Sequence, residues 1–284
     1  MTVKIMYTTS EANEMLGNGT ALAVDVRDAK DYAEGHIPGA VSLPEMFTTL
    51  SMTSAEGLQE LQDIFVPLFR KAGIRKDQKV LVYEDSLSTR YGGSCRGYFQ
   101  LSMLGHKNVG VIAGGLGQWK KDGLPVSTEM PAVTPSDFTA DIQMHMLATK
   151  DDVLASLENP GIKLLDNRDE DEWLGHSSSP YGRDFAPRKG RIPGACWIEW
   201  YKFMKPSEDI QHFKSPAQVR AICAQAGLYQ KDEIIIYCFK GSRASNTYIA
   251  LKEAGFEDVR NYYGSWNEWS RDPELPIHEG ILAE

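Results

Sequence analysis

One segment of the chain concentrates the residue types that nucleophilic chemistry needs. Ile234-Ile-Ile-Tyr237-Cys238-Phe239-Lys240-Gly241-Ser242-Arg243-Ala244-Ser245 passes from an apolar run into a short loop, and Asn246 to Glu253 then has helical spacing. The pattern places Cys238 where a strand turns into a helix. A helix N-terminus offers unpaired N–H groups and partial positive charge, and ligands of open α/β sheets bind outside the carboxyl ends of the strands. A thiol held there is expected to ionise below the ~8.5 of a free cysteine. Lys240 and Arg243 add cationic charge, which favours both a thiolate and an anionic substrate, and Gly241 lets the backbone curl around the sulfur. An unpaired cysteine is more often a packing residue, but strand, loop, cations and helix start together mark Cys238 as a nucleophile.

The other three cysteines lack such surroundings. Cys95 lies beside Arg96, Cys196 sits in the run Ala195-Cys-Trp-Ile198, and Cys223 falls on the apolar face of 221–226. Packing accounts for all three. With no CxxC spacing, neither a zinc site nor a disulfide framework is indicated. The chain of 284 residues carries a formal charge of -9, which argues against nucleic acid as a partner, because phosphate binding needs a cationic face. No stretch approaches the ~20 apolar residues of a membrane span, and Met1 to Ser10 does not read as a signal peptide. A cytoplasmic protein with no membrane partner is expected.

The elements that must hold Cys238 are written twice. Ala23-Val-Asp25-Val-Arg27 followed by Gly35-His-Ile-Pro-Gly-Ala40 is matched by Leu165-Asp166-Asn-Arg168 followed by Gly190-Arg-Ile-Pro-Gly-Ala195. Each copy then supplies an apolar run, Lys79 to Tyr83 and Glu233 to Tyr237. A Gly/Trp turn follows, Gly114 to Trp119 and Gly264 to Trp269. Each closes on Leu-Pro, in Gly123-Leu-Pro-Val126 and Glu274-Leu-Pro-Ile277. Short β-branched runs alternating with helical patterns, such as Ala55 to Ala72 and Ser215 to Ala226, predict an α/β fold. The expectation is two tandem domains, each a mostly parallel sheet flanked by helices, at 1–130 and 144–284. Prolines in the Ser/Thr-rich stretch around 131–143 suggest the linker. The second copy alone carries the insertion His176 to Lys189, whose composition suits a loop that is either flexible or part of the site.

At this point the chain resembles the rhodanese family in its tandem form, which includes thiosulfate and 3-mercaptopyruvate sulfurtransferases. The resemblance rests on the Asp-x-Arg and Gly-x-Ile-Pro-Gly-Ala pattern of both halves, the loop from Cys238 to Arg243, and the two Gly/Trp turns. It implies that Cys238 carries sulfur as a persulfide and that the N-terminal domain is inactive, since Tyr83-Glu84-Asp85 stands where the second copy has Tyr237-Cys238. It further implies a small anionic sulfur donor, a thiol or cyanide acceptor, with a protein sulfur acceptor also allowed, and no metal or organic cofactor. Phe239, Lys240, Gly241, Ser242 and Arg243 become the substrate-binding loop. Asp25 with Arg27, and Asp166 with Arg168, read as structural ion pairs.

Lys240 matches thiosulfate enzymes, whereas mercaptopyruvate enzymes tend to have Cys-Gly-Ser-Gly. Family members place a substrate-contacting arginine where this chain has Glu172, a reversal expected to repel an anion. Arg183, Arg188 or Arg191, in or beside the insertion, is the expected replacement. Two rival readings stand beside this one. Phosphatases of the same fold use a loop longer than the four residues between Cys238 and Arg243. A sulfur carrier would load Cys238 yet turn over poorly with small acceptors.

Overall fold

A computed structural model describes residues 4–207 and 209–279. They form two compact units, each with its own five-stranded parallel sheet. In the first unit the strands are β1 (Met6–Tyr7), β2 (Ala21–Asp25), β3 (Val41–Ser42), β4 (Lys79–Tyr83) and β5 (Val109–Ile112), in spatial order β1-β5-β4-β2-β3. Its helices are α1 (Thr9–Gly17), α2 (Ala29–Glu34), α3 (Glu45–Thr48), α4 (Ala55–Lys71, of which residues 59–71 belong to this unit), α5 (Gly93–Met103) and α6 (Gly115–Lys121). The second unit repeats the order as β6-β10-β9-β7-β8, from β6 (Leu147–Ala148), β7 (Ile162–Asp166), β8 (Cys196–Trp197), β9 (Glu233–Tyr237) and β10 (Asp258–Tyr262). Its helices are α7 (Lys150–Ser156), α8 (Glu170–Trp173), α9 (Pro216–Gln225), α10 (Ser242–Glu253) and α11 (Ser265–Trp269).

Parallel strands buried on both faces read as continuous apolar runs, which explains why Lys79 to Tyr83 and Glu233 to Tyr237 are legible from sequence. β4 and β9 are the central strands, and each ends on a buried tyrosine that fixes the next landmark. The hydroxyl of Tyr83 accepts from the Ile37 N–H at 3.1 Å, and that of Tyr237 from the Ile192 N–H at 3.1 Å. Both Asp-x-Arg pairs pin the same turns. Arg27 bonds Asp25 and the Gly35 carbonyl, and Arg168 bonds Asp166 at 2.6 Å and the Gly190 carbonyl at 2.8 Å. The Trp and Leu-Pro landmarks also belong together: Trp119 donates its indole N–H to the Pro125 carbonyl, and Trp269 to that of Pro276.

Neither unit is one continuous stretch. Residues 50–58 pack with the second unit and residues 205–212 with the first. Thr53 donates its N–H and hydroxyl to the buried carboxylate of Glu268, at 2.8 and 2.6 Å. Within the first unit, Ser86 and Ser88 donate their hydroxyls to Gln211. Helix α9 starts as its sequence requires, with Ser215 capping the N–H of Gln218 and Pro216 in the first turn. Helix α10 begins four residues earlier than its spacing suggested, because Gly241, at φ 85°, turns the chain directly from loop into helix. A side chain at Gly241 would collide with the Tyr263 ring.

Candidate active site

Strand β9 delivers Cys238 to the N-terminus of α10, and the loop closes around its sulfur. The Gly241 N–H donates to Cys238 Sγ at 3.2 Å, and the residue is 1% exposed. Its backbone is held from a second side. The Cys238 N–H donates to Ser265 Oγ at 3.2 Å, and the carbonyls of Cys238 and Phe239 accept from the N–H groups of Trp266 and Asn267 at 3.0 and 2.8 Å. Ser265 is fully buried at φ 54°, a left-handed conformation that costs a non-glycine residue roughly 1–2 kcal/mol. Its hydroxyl in turn donates to the Tyr262 carbonyl at 2.7 Å. Behind the loop, Asn261 and the Ser245 hydroxyl bond the Gly241 carbonyl. The result is a sulfur seated against backbone N–H at a helix start, where negative charge is favoured.

Arg243 and Glu172 form the main charge pair beside this loop. Arg243 donates to both Glu172 oxygens, at 2.5 and 3.0 Å, and lies 3.0 Å from Asp169, with Arg243 and Glu172 each 2% exposed. Burial opposes the guanidinium's charge, but Glu172, through its field and its hydrogen bonds, raises the Arg243 pKa well above its ordinary value, with Cys238 and Asp169 adding to the effect. This changes the reading of Glu172. It was expected to repel an anion, and instead it is matched to Arg243 while also capping α8 through the Asp169 N–H. Lys240 is 7% exposed and its ammonium lies 5.4 Å from the Tyr181 ring centroid. The buried Ser242 hydroxyl has no hydrogen-bond partner among the described residues.

The insertion's arginines divide. Arg188 threads its guanidinium among the carbonyls of Ser270, Leu275, Trp269 and Asp272. Arg191 is buried, donates to the Trp173 carbonyl at 3.0 Å and lies over the Trp173 ring. Both placements run against the expectation that these two cations replace one missing at Glu172, since each guanidinium is taken up by backbone carbonyls. Arg183 stands exposed. Ser265, Asp169 and Tyr181 belong to the surroundings of the loop and were not anticipated. A signal for Ser265 existed in the repeat itself, which has Gly115 at φ 57° where the second copy has serine.

The remaining thiols behave as packing residues. Burial pushes Cys196 up to about 11 and Cys223 up to about 12. In the first unit, Glu84 takes the place of Cys238: its carbonyl accepts from the Leu116 N–H at 2.8 Å, as that of Cys238 does from Trp266. Its carboxylate is fully enclosed and accepts from the N–H groups of Gly93 and Ser94 and from the hydroxyls of Ser94 and Thr89. Burial raises its pKa to about 7, and those hydrogen bonds offset the burial only in part.

Comparison with known proteins agrees with this double architecture. The Rhodanese-like domain matches twice, over residues 8–122 and 149–272, and the chain belongs to the rhodanese family. A thiosulfate sulfurtransferase of Azotobacter vinelandii is 30% identical over 258 residues, covering 90% of each chain. The sulfur carrier protein TtuD of Thermus thermophilus is 29% identical over 286 residues, covering 98% of this chain and 97% of its own. An anaerobic ergothioneine biosynthesis enzyme from Chlorobium limicola shares the fold, with a TM-score of 0.79 at 24% identity over 97% of this chain and 70% of that one. Domains and relatives together support sulfurtransferase activity. No helix among the described residues is long and apolar enough to cross a membrane.

Proposed function

We propose that the protein moves a sulfane sulfur from thiosulfate to a thiol or cyanide through a persulfide on Cys238. The observation that carries this reading is the Cys238 sulfur accepting the Gly241 N–H at the start of α10. The Cys238 thiolate attacks the outer sulfur of thiosulfate, the sulfur–sulfur bond of the donor breaks, and sulfite leaves with the electron pair. The terminal sulfur of the new persulfide carries the negative charge, for which the N–H groups of the 239–243 loop are donors fixed in advance. The acceptor thiolate or cyanide then attacks that terminal sulfur and Cys238 departs as thiolate, which makes the course covalent and two-stage. Lys240 and the Ser242 hydroxyl meet the sulfonate oxygens, and Arg183 at the rim adds cationic charge for an approaching anion. Arg188 and Arg191 support the site as scaffold.

Lys240 and the relatives named thiosulfate sulfurtransferases favour thiosulfate over 3-mercaptopyruvate as donor. The N-terminal unit is inactive in this reading, because the Glu84 carboxylate has no sulfur to offer. The commitment of Arg243 to Glu172 and Asp169 also counts against phosphate-ester hydrolysis, which would need that guanidinium for substrate. Incubation with thiosulfate followed by mass spectrometry should add one sulfur to Cys238 and none to a Cys238→Ser variant. Absence of that adduct from thiosulfate and from 3-mercaptopyruvate would sink the proposal. Efficient loading with little turnover toward thiols or cyanide would instead favour a sulfur carrier, the role named for the Thermus relative.

A further inference from the structure

The insertion at 176–189 is absent from the N-terminal half, and the assignment of Arg188 to scaffold leaves its aromatic residues without a role. Ser179 shapes the turn that presents them: its hydroxyl donates to the Gly182 carbonyl at 3.0 Å and accepts from the Tyr181 N–H at 3.2 Å. Tyr181 is 39% exposed, yet its ring lies 5.1 Å from that of the buried Phe239 and 5.9 Å from that of Phe185. The Lys240 ammonium lies 5.4 Å from the same ring. Tyr181 therefore touches, from outside the loop, the two residues that follow Cys238. A lysine is a point charge on a flexible four-carbon stem. The negative face of an aromatic ring attracts such a charge, and more strongly where water is excluded.

We propose that Tyr181 is a positioning residue for the donor half-reaction: its ring holds the Lys240 ammonium beside Cys238, so that the insertion sets the preference of the site for small anionic donors. The inference rests on the reading of Lys240 as the counter-charge of the donor. The segment's contribution is a ring that orders the loop's own cation. The hydroxyl of Tyr181 is not needed, whereas the ring is.

Two measurements on the full-length protein test this, one of them independent of the natural donor. Tyr181→Ala should raise KM for thiosulfate about threefold to tenfold while kcat stays within about twofold, and Tyr181→Phe, which keeps the ring, should return KM to near the wild-type value. The second compares alkylation of Cys238 by iodoacetate and by neutral iodoacetamide, each of which loses iodide to leave a thioether on the sulfur. The iodoacetate-to-iodoacetamide rate ratio should fall by a similar factor in Tyr181→Ala and in Lys240→Ala, with no further fall in the double variant, as expected of residues acting through one interaction. An unchanged ratio and KM in Tyr181→Ala, an equal loss in Tyr181→Phe, or additive losses in the double variant would each overturn the inference. Failure of thiosulfate to load the wild-type protein, with the alkylation pattern intact, would overturn the donor assignment alone.

Discussion

The loop after β4 and the loop after β9 share one architecture and present different acceptors. Each leaves the central strand of a parallel sheet and enters a helix through a left-handed glycine, Gly92 at φ 79° and Gly241 at φ 85°. Each offers N–H groups to an acceptor at the position just past the strand. In the first unit that acceptor is the carboxylate of Glu84, built into the chain, and in the second it is the Cys238 sulfur. A carboxyl group built into the chain occupies the cradle permanently, whereas the proposed function has the cysteine loaded with sulfur and unloaded. The two units also flank their loops with the same charge pattern by different routes. Arg90, itself at φ 50°, pairs with Asp28 and Asp31 as Arg243 pairs with Asp169 and Glu172. The acidic pair at the start of α2 or α8 is thus a structural partner for a loop arginine in both units.

The largest change expected from breaking this comparison is in Glu172→Gln. It removes the carboxylate that is bidentate to a buried guanidinium, leaving Asp169 as the remaining partner, and should cost about 3 kcal/mol in urea denaturation, the low end for disrupting a buried pair. KM for thiosulfate should not fall. A lower KM with unchanged stability would restore the idea that Glu172 repels the donor.

A comparable effect, confined to one pH range, is expected at Glu84. Its carboxyl keeps its proton up to about 7 in the folded protein, against 4.5 ordinarily. Between those values the folded chain binds more protons than the unfolded one, so its stability falls as pH rises through the interval and is fully present below it. The interval corresponds to roughly 3–3.5 kcal/mol at most. Glu84→Gln should abolish that component, seen as a flatter dependence of the denaturation midpoint on pH between 4.5 and 7. Parallel profiles for the two proteins would show that the carboxylate is ionised throughout.

The smallest effect sharpens the contrast between Ser265 and Gly115. Ser265→Ala loses the acceptor of the Cys238 N–H and keeps the left-handed strain, while Ser265→Gly loses the acceptor and relieves the strain. Both should lower kcat/KM about fivefold, the loss of one hydrogen bond of about 1 kcal/mol, but Ser265→Gly should be the more stable by about 1 kcal/mol. Full activity in Ser265→Gly would mean that the hydroxyl has no part in placing Cys238.

Much of this was legible because it is local or repeated. The runs 79–83 and 233–237 are strands buried on both faces, so their apolar character is continuous and unmistakable. Cys238 and Gly241 sit within one strand-to-helix junction, whose residues are neighbours in sequence as well as in space. The Trp and Leu-Pro landmarks recur because one bonds the other a few residues away. The straps 50–58 and 205–212 were not legible, since nothing in their composition says which sheet they join.

The sequence by itself determined the duplicated α/β architecture, the place of Cys238 at a strand-to-helix junction and the absence of sulfur from the equivalent position in the first half. These depend on periodicity and on residue identity at fixed short spacings. The tertiary structure alone decided the pairing of Glu172 with Arg243, the carbonyl partners of Arg188 and Arg191, and the meeting of Tyr181 with Lys240. Glu172 and Arg243 are 71 residues apart in the chain, and a charge's effect depends on its distance to other charges and on the water excluded between them. Only the fold sets those two quantities.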